Sequence, residues 1–99
     1  MADGTRSDHR RRYHALGDLR RLGFEQERLL QRVRTHPDWG SRPLPVRRAI
    51  EAALHPPGHH PSADLARLER EVRAATARIV LLAKALRALE TGTRLPDPS

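Results

Sequence analysis

Three histidines near the middle of the chain are of the residue type that most often binds transition metals. His55, His59 and His60 surround the turn sequence Pro56-Pro57-Gly58. Imidazole nitrogens are good ligands for zinc and nickel, and three within six residues could converge on one ion. However, the loop contains no cysteine or acidic residue. The three histidines are therefore weak metal candidates, a polar loop is the favoured interpretation, and we expect no cofactor.

Seven arginines could contact the phosphates of a nucleic acid. They are Arg10, Arg11, Arg12, Arg20, Arg21, Arg47 and Arg48. The net charge of +7 would attract such a polyanion. All basic residues except Lys84 are arginines, which is typical of a GC-rich genome and overstates functional basicity. Tyr13 is the only aromatic residue near the N-terminal cluster, so few aromatic side chains are available for bases to stack on.

The residues that could carry catalysis are sparse. The chain has no cysteine, which excludes disulfides, thiolate metal sites and thiol nucleophiles. The serines lie at expected helix caps, in loops and in the C-terminal tail, without a recognisable nucleophile context. No pair of carboxylates lies on an apolar helix face. The sequence therefore predicts a protein that is not an enzyme.

Proline and glycine divide the chain into three helices within one domain. We expect helices over about residues 8–35, 45–55 and 63–91, in a helical domain covering 8–92, with disordered segments at 1–7 and 93–99. Ser7 and Ser62 are expected N-caps, and Gly92 is an expected C-terminal stop. Gly23 leaves an alternative open, because with Phe24 it could end a helix in a Schellman motif. We favour a continuous first helix, since its apolar stripe keeps its phase across Gly23.

The third predicted helix has an unbroken heptad pattern. Its apolar residues alternate spacings of three and four, which places them along one seam. They are Leu65, Leu68, Val72, Ala75, Ile79, Leu82, Leu86 and Leu89. Val80 and Leu81 lie off this seam, so the C-terminal half is apolar around most of its circumference. The pattern predicts an all-α fold: a small helical bundle with a long, amphipathic, coiled-coil-like C-terminal helix.

Two residues outside this pattern have alternative interpretations. Trp39 lies in a connector, where a tryptophan either anchors an interface or covers the end of a small core, and we favour the core position. Gln26 lies on the apolar stripe of the first helix. It could form a hydrogen bond across an interface, although a position at the wet edge of the stripe is the favoured interpretation.

The leading functional hypothesis is a non-catalytic helical module for protein–protein interaction or oligomerisation. Its expected partner is a second copy of the chain or another helical protein. The expected interface residues are Leu65, Leu68, Val72, Ile79, Val80, Leu81, Leu82, Leu86 and Leu89. The alternative is a small dimeric protein that binds DNA or RNA, with the N-terminal arginines on phosphates. The longest apolar run covers only residues 79–83, so we expect no membrane span and a cytoplasmic location.

Overall fold

The chain folds into three helices that enclose a small apolar core. The computed structural model describes residues 2–54 and 64–98. Helix α1 covers Ala2–Arg34, α2 covers Leu44–Leu54 and α3 covers Leu65–Thr91. No strand occurs within these described ranges. The predicted all-α bundle is confirmed, and helices α1 and α3 form its main packed pair.

Helix α1 is a single uninterrupted helix of 33 residues. Gly17 and Gly23 both lie inside it, which confirms the continuous helix and excludes a stop at Gly23. The predicted disorder of residues 1–7 is wrong for residues 2–7, and Ser7 is not the N-cap, because α1 begins at Ala2. Met1 lies outside the described residues. No proline interrupts residues 2–7, so the backbone hydrogen bonds can continue toward the N-terminus.

Helix α3 is bounded by a cap at each end. Its N-cap is Asp64, whose carboxylate accepts a hydrogen bond from the Ala66 amide at 3.1 Å. Ser62, the expected N-cap, lies outside the described residues, and the helix begins two residues later than predicted. At the other end Gly92 adopts φ 68°, ψ 25° and donates its amide to the Ala88 carbonyl, which confirms the expected stop. Only glycine adopts this left-handed conformation without steric cost.

Helices α1 and α3 run parallel to each other. Three contacts follow the same order along both helices: Arg11 with Glu69, Gln26 with Arg78, and Arg32 with Glu90. Helix α2 runs in the opposite direction and returns the chain from the end of α1. Its C-terminal carbonyl, at Leu54, accepts a hydrogen bond from Gln26 at 3.4 Å. Among the described residues, α2 therefore lies only beside the C-terminal half of the α1–α3 pair.

The main core lies at the end of the molecule where α2 joins the other helices. It contains apolar residues from all three helices, from the α1–α2 connector and from the C-terminal tail. They are Leu29, Leu30, Val33, Trp39, Ile50, Leu54, Leu82, Ala85, Leu86, Ala88, Leu89 and Leu95. Trp39 is thus a core residue, as the favoured interpretation predicted. Toward the N-terminal ends of α1 and α3 the buried residues are Ala15, Leu68 and Ala75, which make a thinner core.

The C-terminal tail packs against the helices, so the predicted disorder of residues 93–99 is wrong for its described part. Leu95 is buried in the main core. Arg42, in the connector before α2, donates hydrogen bonds to the carbonyls of Thr93 at 2.6 Å and Ala88 at 3.3 Å. The Ala88 carbonyl also accepts hydrogen bonds from the amides of Gly92 and Thr93, so Arg42 adds a link from the connector to the end of α3 and to the tail. The turn at Gly92 and the guanidinium of Arg42 together fix the direction of the tail.

Candidate interaction surface

The heptad seam of α3, which the sequence offered as an intermolecular interface, lies mostly inside the chain. Four of its leucines are buried inside the chain: Leu68, Leu82, Leu86 and Leu89. Leu65, Val72 and Ile79 are half-buried. The same spacing that suits a partner helix is therefore satisfied largely by α1 of the same chain, and these leucines offer little surface to another protein.

The two off-seam residues of α3 have different environments. Leu81 is half-buried and packs against the main core. Val80 keeps 46% of its surface exposed. The C-terminal half of α3 is apolar around much of its circumference because it contacts α1 on one side and α2 with the tail on another. Of the expected interface residues, Val80 is the one that remains largely open to solvent.

A second apolar surface lies on α1, on the side that faces away from α3. It contains exposed residues at spacings of three and four, which places them along one side of the helix. We call it the outer face of α1, and it comprises Arg10, Tyr13, Leu16, Gly17, Arg20, Arg21, Phe24, Glu27 and Arg28. The buried residues Ala15, Leu29 and Val33 point to the opposite side, toward α3.

Aromatic side chains mark both ends of the apolar part of this face. Tyr13 is 77% exposed and Phe24 is 73% exposed, and Leu16 at the flank is 44% exposed. The chain has three aromatic residues, so two of them lie in solvent and only Trp39 is in the core. Gly17 lies between the two aromatic residues. A shallow open groove of about 470 Å³ extends from it past Arg20, Arg21 and Phe24.

The charges on the outer face of α1 are mainly positive. Arg21 forms an ion pair with Asp18 at 3.3 Å, and Arg28 forms one with Glu25 at 2.9 Å. All four of these side chains are at least 40% exposed, so solvent screens both pairs. Arg10 and Arg20 are exposed and have no ion pair within the described part of the chain. Both are therefore available to an anionic group on another molecule.

The remaining arginines of the predicted phosphate-binding set are dispersed. Arg11 donates to the Glu69 carboxylate at 2.6 Å and so links α1 to α3. Arg12 is half-buried, and its Nε has no hydrogen-bond partner among the described residues. Arg47 is half-buried and donates to the carbonyl of Arg42 at 3.0 Å. Arg48 is exposed on α2. The seven arginines therefore do not form one continuous basic surface.

Gln26 connects all three helices instead of lying at a wet edge. Its side-chain nitrogen donates to the carbonyl of Leu54 on α2, and its side-chain oxygen accepts from Nε of Arg78 on α3 at 3.0 Å. Arg78 and Gln26 are both half-buried. The hydrogen bond across a helix contact, which the sequence left open, is thus present within a single chain. This polar bridge belongs to the fold and is not available to a partner.

No arrangement typical of a metal site occurs in the described ranges 2–54 and 64–98. Within them, no three histidine or acidic side chains group in a way that could hold a metal ion. His55, His59 and His60 lie outside the described residues. The groove between α2 and the tail, about 630 Å³, has a single carboxylate, Asp97, among its lining residues. A paired acid and base are thus missing from that groove.

Phe24 and Leu16 were not predicted to be members of an exposed surface. Phe24 was considered only as a possible helix-stop residue. The helical period contains the missing signal, since Tyr13, Gly17, Arg20 and Phe24 follow one another at spacings of four, three and four.

In the described helices, none combines the length and apolar character needed to cross a bilayer. Comparisons with protein-family models, curated proteins and solved structures found no match to this chain.

Proposed function

We propose that this protein is a non-catalytic helical module that binds another protein through the outer face of α1. The observation that carries this proposal is the exposure of Tyr13 and Phe24 at 77% and 73%. An exposed aromatic ring leaves a large apolar surface in water, which burial in an interface would stabilise. Tyrosine, phenylalanine and arginine are also the residue types enriched at the centres of protein interfaces.

The packing of the rest of the chain supports the choice of this surface. The seam leucines of α3 are already covered, with Leu82 fully buried and Leu89 at 1% exposure. A partner that reached them would first have to displace α1 or α2 and open the core. By contrast, Tyr13 and Phe24 can be contacted without any change in the fold. The outer face of α1 is thus accessible at no conformational cost to the monomer.

A photocross-linking experiment in the cells that naturally produce the protein tests this proposal. The amino acid p-benzoylphenylalanine replaces Phe24 in one variant and Ala77, an exposed residue of α3, in the matched control. We expect a discrete cross-linked product from position 24 that is absent from position 77. Both variants should retain the helical circular dichroism of the parent. A folded position-24 variant that forms no adduct would contradict the proposal.

Nucleic-acid binding is the second candidate function, and one observation favours it. Arg10 and Arg20 are exposed on the same helix side as Tyr13 and Phe24. Guanidinium groups beside aromatic rings can contact phosphates and stack on bases. Arg47 and Arg48 lie on a separate helix, and Arg47 donates to the carbonyl of Arg42. Fewer guanidinium groups are therefore free for phosphate contacts than the composition suggests.

A further inference from the structure

We infer that the partner of the outer face of α1 is an acidic amphipathic helix of a different protein. This inference rests on the proposed function and specifies the chemistry of the partner. Three features of the face carry it: the separation of its two aromatic residues, the missing side chain at Gly17, and the sign of its free charges.

The first feature is a length that suits a helix lying along α1. Tyr13 and Phe24 are eleven residues apart, which corresponds to about 16 Å at 1.5 Å per residue, or three helical turns. Helices that bind in grooves use a few apolar anchors spaced over two or three turns. Tyr13, Leu16 and Phe24 supply such anchors on one side of α1. A partner helix of about three turns would therefore contact both aromatic rings.

The second feature is the groove at Gly17. A Cβ atom built at this residue would meet no atom within 4 Å, so the packing of the chain does not require glycine here. Glycine inside a helix destabilises it by about 0.5–1 kcal/mol relative to alanine. The protein thus carries a destabilising residue at the centre of its exposed aromatic surface. Its absent side chain leaves room for an apolar side chain of the partner between Tyr13 and Phe24.

The third feature is the charge that borders the apolar residues. Arg10 and Arg20 have no ion pair within the described residues, and Arg21 is paired only with a solvent-exposed carboxylate. Carboxylates that flank the apolar side of a partner helix would meet these guanidinium groups in charge-assisted hydrogen bonds. A second copy of this chain would bring together two faces that each carry an excess of arginines, because a two-fold interface presents the same surface on both sides. Charge complementarity therefore favours a different, acidic protein.

The face is less suited to a nucleic acid. Asp18 and Glu25 pair with Arg21 and Arg28, which leaves Arg10 and Arg20 as the arginines of this face without an ion pair in the described part of the chain. The groove at Gly17 and Phe24 is lined by both signs of charge, since the Glu25 carboxylate lies there with the guanidinium groups of Arg20, Arg21 and Arg28. A phosphate backbone needs positive groups along the whole contact. A helix that places apolar residues against Tyr13 and Phe24, and carboxylates near Arg10 and Arg20, fits the observed side chains.

The test uses a synthetic peptide as the partner probe. A 21-residue fluorescent peptide carries leucines on one helical side and glutamates at both margins, and its control carries lysine in place of every glutamate. Fluorescence anisotropy measures binding to the full chain. We expect saturable binding of the glutamate peptide and none of the lysine peptide. A second probe, a fluorescent 20-base-pair DNA duplex, competes with the peptide if the face binds nucleic acid instead.

Variants of exposed residues then locate the binding site. The Tyr13→Ala/Phe24→Ala and Arg10→Glu/Arg20→Glu double variants should each weaken peptide binding by about tenfold or more, as loss of central interface residues does. Arg48→Glu, on the exposed side of α2, is the matched charge control and should leave the dissociation constant within about twofold of the parent. Circular dichroism checks that each variant keeps its helices.

Two glycine variants give a further check on the groove. Gly17→Ala should weaken peptide binding because the new methyl group occupies the groove. Gly23→Ala lies off the outer face and should not change it, although a Cβ there also meets nothing within 4 Å.

Four outcomes would overturn the inference: no binding of the glutamate peptide, equal binding of the lysine peptide, displacement by DNA, or binding that survives the Tyr13 and Phe24 substitutions. The cross-linking experiment separates this failure from failure of the proposed function. A protein adduct at position 24 without binding of the glutamate peptide would support the proposed interaction function but exclude an acidic helix as the partner. Absence of both would remove the two proposals together.

Discussion

Substitution of the helical glycines tests the continuity of α1, on which the whole outer face depends. Gly23 lies inside α1, and a Cβ at this position would meet no atom within 4 Å. The Gly23→Ala substitution therefore adds no clash and replaces a poor helix former by the best one. We expect the free energy of unfolding to rise by about 0.5–1 kcal/mol. For a domain of this size, that corresponds to an increase in Tm of about 2–8 °C.

The sign of this change distinguishes two backbone conformations. If α1 ended at Gly23 in a Schellman motif, the residue would have positive φ and alanine would be destabilising. Gly92 supplies the matched control, because its φ is +68° and Gly92→Ala should lower stability by about 1–2 kcal/mol. Thermal and urea unfolding followed by circular dichroism at 222 nm measure both variants. A lower Tm for Gly23→Ala would refute the continuous helix, and with it the alignment of Tyr13 and Phe24 on one side.

Three further predictions concern the core, the tail and the second candidate function. Leu82→Ala should lower the free energy of unfolding by about 2–5 kcal/mol because Leu82 is fully buried. The nearby Val80→Ala substitution should change it by less than about 1 kcal/mol, because Val80 is largely exposed. Urea denaturation measures both variants. Arg42→Ala removes the donor to the carbonyls of Ala88 and Thr93 and should lower the free energy of unfolding by about 1–2 kcal/mol. Amide hydrogen exchange in the tail should become faster. Unchanged exchange would contradict the role of Arg42. If the protein binds duplex DNA, the logarithm of affinity should fall steeply with the logarithm of salt concentration, and alanine at Arg10 and Arg20 should reduce the slope by about two; no binding at low salt would remove this candidate.

The sequence was sufficient to predict α3 and its buried side, but not the molecule that covers it. The heptad spacing depends only on which side of a helix is apolar, and it is the same for a partner in the chain and for one outside it. Leu82 and Leu89 were therefore predicted to be buried, yet the residues that they pack against could not be predicted. The parallel arrangement of α1 and α3 supplies that cover, and it requires the α2 segment to return the chain. Local periodicity carries no information about such a connection.

Errors at the chain ends have a different cause. Leu95 follows a helix stop in a proline-containing tail, and no periodic pattern marks it as a core residue. Its burial depends on the direction that Gly92 gives to the chain and on the guanidinium of Arg42, which is 51 positions from Thr93 in sequence. The start of α1 was misplaced because Ser7 is a good N-cap residue within a segment that contains no helix breaker. A capping preference is too weak to end a helix whose preceding residues can continue it.

The distribution of buried side chains along the α1–α3 pair bears directly on where a partner would act. Most of the larger core residues, such as Leu30, Ile50 and Leu82, lie at the α2 end, whereas at the other end Leu68 is accompanied by the small residues Ala15 and Ala75. Hydrophobic stabilisation scales with buried apolar area, so we expect the core to stabilise the N-terminal half of α1 less than its C-terminal half. That half also carries Tyr13, Leu16 and Gly17 of the outer face. A ligand that binds only the folded state stabilises it by mass action, and a partner on Tyr13 and Phe24 would add this stabilisation to the segment where the core is thinnest.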